Sequence, residues 1–193
     1  MNGTTQSGGD ADFTGFALFE TAVGRCAIVW RGARIVGTHL PEASDARALA
    51  ALARRFPSGR AATPPTFVAA AMARIATFLD GGADGFGDLP LDLESVSAWE
   101  RRVYAAAQAI PAGTTTTYGA MAASLGDAGQ ARAVGQALGR NPWPIVVPCH
   151  RITAADGRTG GFSAPGGAST KLRLLEIEGA LAPDTLPLFG GPH

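Results

Sequence analysis

The sequence predicts an α/β (α+β) protein: a small N-terminal α/β domain followed by a mostly helical, winged helix-turn-helix-like domain. Three observations predict this. Short apolar runs broken by glycine open the chain, a glycine-rich segment at 81–90 divides it, and apolar residues then recur at helical spacing. We expect flexible tails at 1–13 and 183–193, the α/β domain at 14–90, and the helical domain at 95–182.

Composition excludes several classes of protein. The chain has 193 residues, 46% of them hydrophobic, with 16 basic and 16 acidic residues. This balance argues against wholesale disorder and against a binder held by bulk positive charge, although a local basic patch remains open. No apolar run approaches the roughly 18–20 residues that span a bilayer, and the polar N-terminus lacks the features of a secretory signal. We expect a cytoplasmic monomer without membrane contact.

The first half predicts strands and then helices. Apolar pieces at 16–19, 26–30 and 34–37 are separated by turn residues, which is typical of strands joined by tight turns. An Ala- and Leu-rich stretch at 43–55 and a periodic stretch at 65–79 predict two helices.

The second half predicts three helices, at about 97–110, 117–125 and 129–140. Ser97 followed by Glu100 has the spacing of a capping box, which marks the first helix start. A short turn containing Gly126 joins the second and third helices, so together they form a helix-turn-helix pattern.

The third of these helices has three distinct rows of side chains. They are an apolar row (Ala133, Val134, Ala137, Leu138), a nearly bare row (Ala131, Gly135, Gly139) and a polar row (Arg132, Gln136, Arg140). A core helix with a solvated face would explain them. A recognition helix would as well, since small residues permit close approach to DNA while Arg132 and Gln136 reach into it.

The segment from Ile145 to Arg151 carries the chemistry. Three β-branched residues predict a short buried extended piece that delivers Cys149 between Pro148 and His150. His150 and Arg151 supply neighbouring positive charge and proton-transfer capacity, which favour a reactive thiolate. Cys26, beside a strand-like run, is interpreted as an inert buried thiol. With no C-x-x-C or H-x-x-x-H pattern, we expect no metal and no cofactor.

Pro-Cys-His-Arg at 148–151 resembles the signature of the O6-alkylguanine-DNA alkyltransferases, also called methylated-DNA–protein-cysteine methyltransferases. Further matches follow the family's order and spacing: Thr117-Tyr118-Gly119, Ala131 to Gly135, Asn141-Pro142, Pro144-Ile145, Leu174-Leu175 and Glu178-Gly179. The similarity is strong over about 97–179 and diffuse over 14–93.

The resemblance implies roles around the thiol. Cys149 would accept the alkyl group, His150 would deprotonate it through a water, and Glu178 would orient the histidine. Glu176 is the competing acid, and the preference for Glu178 rests on its place before Gly179 in the family pattern.

The resemblance also implies DNA and pocket residues. Asn141 resembles the hinge asparagine between the recognition helix and the active-site segment. Tyr118 resembles the tyrosine that rotates the 3′ phosphate and assists protonation of the leaving guanine. Arg132 resembles the arginine finger that takes the place of the extruded nucleotide. Ala131, Gly135 and Gln136 would face DNA. The substrate pocket would contain Pro144, Val147, Arg151, Phe162 and Ser163, although the loop at 162–167 is longer than the common form.

The implied function is stoichiometric, self-inactivating repair of double-stranded DNA. The alkyl group of O6-alkylguanine would pass to Cys149, with O4-alkylthymine as a second candidate substrate. Two other classes compete. A non-catalytic lesion-binding protein would lack the acceptor, which is present here. A hydrolase built on Cys149, His150 and Glu178 would need oxyanion donors, and no obvious glycine pair surrounds the thiol.

Overall fold

A computed structural model describes residues 13–155 and 162–181. The tails expected at 1–13 and 183–193 lie outside the described residues, except for Phe13. Mixed α/β architecture is confirmed, with a small sheet followed by a helical half. Within the described ranges, every helix is too short or too polar to cross a bilayer.

A four-stranded sheet forms the N-terminal part, in the order β3-β2-β1-β4. Its strands are β1 (Thr14–Phe19), β2 (Cys26–Arg31), β3 (Arg34–His39) and the short β4 (Arg60–Ala61). The first three are antiparallel neighbours, and β4 runs parallel to β1. The three predicted strands are therefore confirmed. The turns between them contain Gly24 and Gly32, whose positive φ angles of 117° and 51° suit glycine.

Two helices belong to this half, α1 (Asp45–Arg55) and α2 (Thr66–Leu79). Ser44 caps α1 by accepting from the Arg47 amide. Pro65 is the N-cap of α2, one position before the helical turn in which the sequence placed it. Both predicted helices are confirmed, with small shifts at their first residues.

The glycine-rich segment at 81–90 is tightly held. Arg74 on α2 donates to both Asp84 and Asp88, at 2.7–2.8 Å. Phe86 is buried and packs edge-on against Phe78, with 5.3 Å between ring centroids. One apolar cluster continues from the sheet into the second half, so the division at 90–95 stays a prediction.

The second half contains α3 (Ala98–Gln108), α4 (Tyr118–Ser124), α5 (Ala131–Gly139) and α6 (Gly167–Ile177), plus paired two-residue strands β5 (Thr116–Thr117) and β6 (Ile152–Thr153). Ser97 and Glu100 form the expected capping box. Val134, Ala137 and Leu138 are buried, whereas Arg132, Gln136 and Arg140 are exposed, so the amphipathic prediction for α5 is confirmed. A 3-10 turn at Ala128–Gln130 occupies the predicted first residues of that helix.

The extended conformation predicted for Ile145–Val147 is wrong. The segment forms a buried tight turn in which Pro144 and Val147 bridge each other, and Ile145 has a φ of 77°. A β-branched residue rarely adopts a positive φ, so surrounding contacts must impose it. Prolines on either side shorten the run, and backbone hydrogen bonds close the turn. The amide of Val147 donates to the Trp143 carbonyl at 2.7 Å.

Strand β3 joins the two halves of the chain. Its outer edge hydrogen-bonds to two segments of the second half rather than to another strand. Ile35 contacts residues 90–92, and the Thr38 amide donates to the Pro142 carbonyl at 3.0 Å. The buried Trp143 indole donates to the Ile35 carbonyl at 2.8 Å. The edge is thereby covered, and the chain before Cys149 is fixed to the sheet.

Gly37→Ala tests this junction. A Cβ at Gly37 would lie 2.9 Å from the Phe56 ring and 3.4 Å from the Pro142 carbonyl oxygen. We expect the free energy of unfolding to fall by about 1–3 kcal/mol in denaturant titrations. Gly119→Ala is the control, because nothing lies within 4 Å of a Cβ in that helical position. It should be neutral or slightly stabilising. Equal stability of the two variants would mean that the junction is loosely packed.

Candidate active site

A cavity of about 320 Å³ opens beside Cys149. Both halves of the chain line it: Thr38, His39, Leu40, Ala51, Leu52 and Arg55 from the first half, and Leu138, Gly139, Arg140, Asn141, Pro144, Cys149, Ser163, Ala164 and Pro165 from the second. The thiol belongs to a residue that is 9% exposed. It is therefore reachable from the cavity yet largely removed from water.

Cys149, His150 and Arg151 form a single 3-10 turn. The Cys149 amide donates to Val147 and the Arg151 amide donates to Pro148, which sets the turn. Cys149 lines the cavity, whereas the side chains of His150 and Arg151 reach Glu178 at the end of α6. The 3-10 turn therefore keeps Cys149 and His150 in one site, whereas adjacent side chains of an extended segment would point to opposite faces.

Glu178 is the centre of a buried ion network. His150 Nε2 lies 2.7 Å from Glu178 Oε1, and Arg151 contacts both carboxylate oxygens at 2.8–3.1 Å. The Arg151 guanidinium also donates to the Ile110 carbonyl, and the Gly113 amide donates to Glu178 Oε2 at 3.4 Å. All three side chains are at most 5% exposed. The network ties α6 and the end of α3 to the turn that carries the thiol.

The network fixes protonation states. Burial raises the pKa of Glu178, but the hydrogen bonds from His150 and Arg151 outweigh it and lower the pKa to about 2. Burial lowers the pKa of His150, and Glu178 offsets this only in part. A neutral imidazole beside an ionised carboxylate carries its proton on Nε2. Nδ1 is buried and has no hydrogen-bond partner among the described residues, so it can accept a proton.

The thiol is protonated at rest. Burial raises the pKa of Cys149; the Asn141 side chain and the charge of Lys171 lower it, without overcoming burial. The sequence pattern predicts that the favourable charge comes from His150 and Arg151. That prediction is wrong, because His150 is neutral, Glu178 neutralises the guanidinium, and Lys171 is the cation that acts on the thiol.

Lys171 is a site residue that the sequence analysis missed. It is fully buried on α6, donates to the Ile152 carbonyl, and lies 6.0 Å from the centre of the Tyr118 ring. Burial lowers its pKa to about 8. A signal was present: Lys171 shares one helical face with Leu174, Leu175 and Glu178, so a lysine stands within an apolar stripe.

The predicted DNA-facing residues lie on α4 and α5. Arg132 and Gln136 are exposed, and Ala131 and Gly135 are half-buried. A Cβ on Gly135 would stand 3.8 Å from the Tyr118 ring, so the nearly bare row of α5 lies beside the tyrosine. Burial raises the pKa of Tyr118, and ionisation of Cys149 would raise it further. Tyr118 is therefore close enough to the thiol to sense its ionisation.

The predicted pocket residues divide into two groups. Pro144 and Ser163 line the cavity, together with Ala164 and Pro165 of the longer loop. Val147, Arg151 and Phe162 are not among the lining residues. Arg151 is occupied by Glu178, Phe162 packs on the apolar core, and the carbonyl of Val147 accepts from Asn141 Nδ2 at 2.9 Å. Asn141 Oδ1 also accepts from the Trp143 amide, so it fixes both ends of the turn.

The surroundings of Glu176 and Cys26 distinguish them from Glu178 and Cys149, the residues with which they compete for roles in the site. Glu176 pairs with Arg173 on the surface at 3.3 Å, so Glu178 is the acid that contacts His150. Cys26 is buried in the sheet, and burial raises its pKa to about 12, partly offset by the Thr21 hydroxyl. An inert role for Cys26 follows.

Glu178→Gln should destabilise the protein, whereas Glu176→Gln should not. Glu178→Gln leaves Arg151 buried without its counter-charge, so we expect the free energy of unfolding to fall by about 3 kcal/mol near pH 7. In a protein that retains Glu178, the stabilisation from its ionised carboxylate is complete above the ordinary pKa of 4.5. This stabilisation is lost as the pH falls towards 2. Urea titrations from pH 7 to pH 2 should show this acid-linked loss in Glu176→Gln but not in Glu178→Gln. Equal profiles would contradict the assignment.

Lys171→Met should make the Cys149 thiol harder to ionise. The variant removes the buried cation whose charge lowers the pKa of Cys149, while retaining an apolar chain of similar length. The pH dependence of iodoacetamide reaction at Cys149 should shift upward, whereas Arg173→Met on the same helix should leave it unchanged. An unshifted profile in Lys171→Met would assign the thiol's ionisation to Asn141 and the backbone amides instead.

Comparison with known proteins places the chain in a family. Residues 98–180 match the family model described as 6-O-methylguanine DNA methyltransferase, DNA binding domain. The chain is 41% identical to a methylated-DNA–protein-cysteine methyltransferase of Methanothermobacter thermautotrophicus, over 61% of this chain and 64% of the relative. It is 42% identical to one from Mycolicibacterium paratuberculosis, over 65% of this chain and 73% of the relative.

The fold agrees over a greater length. A crystal structure of Mycobacterium tuberculosis OGT in complex with DNA superposes with a TM-score of 0.68 and 29% identity. The superposition covers 86% of this chain and 93% of that one. The chain therefore belongs to the methylated-DNA–protein-cysteine methyltransferase family.

Proposed function

We propose that the protein repairs O6-alkylguanine in double-stranded DNA by taking the alkyl group onto Cys149. One observation carries the proposal: a thiol on a cavity wall, followed in the chain by a buried histidine whose Nε2 is held by Glu178 and whose Nδ1 is unpartnered among the described residues. A saturated alkyl carbon on oxygen is an electrophile suited to sulfur. The family and its named relatives support the same reaction.

The transfer is a single displacement. As the carbon–sulfur bond forms, the bond between that carbon and guanine O6 breaks, and its electron pair remains on the guanine. The thiol proton passes to His150 Nδ1 through one bridging water, and Tyr118 assists proton delivery to the departing base. Glu178 holds Nε2, so only Nδ1 can act as the base.

The reaction ends with the protein alkylated. The alkyl carbon of a thioether is saturated and resists attack by water, unlike the acyl carbon of a thioester, so hydrolysis does not restore the thiol. Each molecule therefore acts once. A lesion binder without transfer is disfavoured because the acceptor cysteine is present, and a hydrolase would require repeated release of its product.

DNA binds over α4 and α5 in this proposal. The target atom is inaccessible inside a stacked duplex, so the nucleotide must be extruded into the cavity. Arg132 and Gln136 are exposed on the face that would enter DNA, and the small residues of α5 permit close approach. A solved relative in complex with DNA supports DNA binding. O4-alkylthymine is the second candidate substrate.

A cytoplasmic monomer fits this chemistry. Both cysteines are free, and a single-use thiol requires a reducing compartment. Cys149, His150 and Glu178 come from one chain, so a second copy is not needed to complete the site.

Mass spectrometry tests the transfer. Incubation with duplex DNA containing O6-methylguanine should add one methyl group per molecule, mapped by peptide analysis to Cys149, with no turnover. Cys149→Ala should remain unmodified and still bind the duplex, while Cys26→Ala should react as the wild type does. Repeated turnover, or a methyl group on Cys26, would overturn the proposal.

Arg132→Ala tests base extrusion. Transfer from methylated duplex should slow by at least about tenfold, because unstacking costs a few kcal/mol, whereas transfer from free O6-benzylguanine should change little. Arg47→Ala, an exposed arginine on α1, is the control and should affect neither substrate. Equal losses on duplex and free base would assign Arg132 to the fold or the chemistry.

A further inference from the structure

Thr38 makes a side-chain contact between the N-terminal sheet and the active-site segment. Its hydroxyl donates to the Pro144 carbonyl at 2.7 Å, and its amide donates to the Pro142 carbonyl at 3.0 Å. Thr38 is only 3% exposed. A buried hydroxyl is retained where it has a partner, and here the partner precedes the most strained residue of the segment.

That strained residue is Ile145, with a φ of 77°. Its peptide bond begins with the carbonyl that Thr38 holds. The turn continues to Val147, whose carbonyl accepts from the Cys149 amide at 2.8 Å. A conformation that disfavours a β-branched residue persists only while neighbours enforce it. Thr38 is thus one of the restraints that determine where the turn leaves Cys149.

Thr38 and Pro144 also line the cavity that contains Cys149. A rotation of the Pro144–Ile145 peptide would move a cavity wall and the route to the thiol together. His150 and Glu178 contact each other directly, and Arg151 and the Gly113 amide also hold Glu178, so the His150–Glu178 pair does not depend on this peptide.

We propose that Thr38 is a positioning residue for alkyl transfer: its hydroxyl holds the Pro144 carbonyl and so keeps the 144–147 turn, and Cys149 after it, in the geometry of attack. The inference rests on the proposed function and deepens it, because it gives the N-terminal half a direct part in the site. Thr38 acts through Pro144, without touching the reacting atoms.

Thr38→Val and Thr38→Ser test the proposal, with Thr14→Val as a matched control. Thr14 is also a buried sheet threonine, and its hydroxyl accepts from Arg31 Nε at 3.1 Å, away from the cavity. The rate constant of single-turnover transfer from saturating methylated duplex should fall about tenfold in Thr38→Val. The duplex concentration that gives half the maximal rate and the midpoint of the pH–rate profile should not change. Thr38→Ser and Thr14→Val should stay within about twofold of the wild type.

Hydrogen exchange of the backbone amides of Ile145, Val146, Val147 and Cys149 provides a readout independent of activity. Exchange should accelerate in Thr38→Val and not in Thr14→Val, measured well below both melting temperatures. Wild-type transfer rates in Thr38→Val would overturn the positioning role, and so would a shifted pH midpoint. If the wild type itself fails to transfer, the proposed function falls, and the exchange data alone decide whether Thr38 holds the turn.

Discussion

The site depends on a buried carboxylate. Glu178 must be satisfied by cations and donors, since an isolated buried charge is prohibitively costly. Its partners are His150 and Arg151 from the turn at Cys149–Arg151 and the Gly113 amide after α3. Satisfying this one group therefore brings three separate stretches of chain together and places the thiol-bearing turn against α6.

Burial determines the protonation states of Cys149 and His150 before substrate binds, and a protonated thiol requires a base. The pKa of Cys149 is raised, which keeps the thiol protonated until a substrate arrives. The pKa of His150 is lowered, which keeps the imidazole neutral and able to accept that proton. Lys171 then supplies positive charge for the thiolate as it forms. A permanently ionised cysteine would react with any electrophile, whereas this arrangement couples ionisation to the groups around the cavity.

Local patterns predicted much of this molecule. Helical spacing located α3 to α5, the capping box located the start of α3, and family order selected Glu178 over Glu176. The failures have a common physical cause in long-range packing. Ile145 and its neighbours carry strand propensity. The hydrogen bond from Thr38 to the Pro144 carbonyl, 106 positions along the chain, nevertheless helps to hold this segment in a turn. Lys171 was missed because a helical lysine ordinarily faces solvent, and Arg151 was misassigned because its counter-ion lies far along the chain.

The protonation of His150 tests the central claim most directly. Nitrogen NMR of protein labelled at histidine can distinguish protonated from unprotonated ring nitrogens. We expect a neutral ring at pH 7, with the proton on Nε2 towards Glu178 and Nδ1 unprotonated, and Glu176→Gln should leave that spectrum unchanged. A proton on Nδ1, or an imidazolium ring at neutral pH, would contradict it, because His150 could not then accept the proton of Cys149.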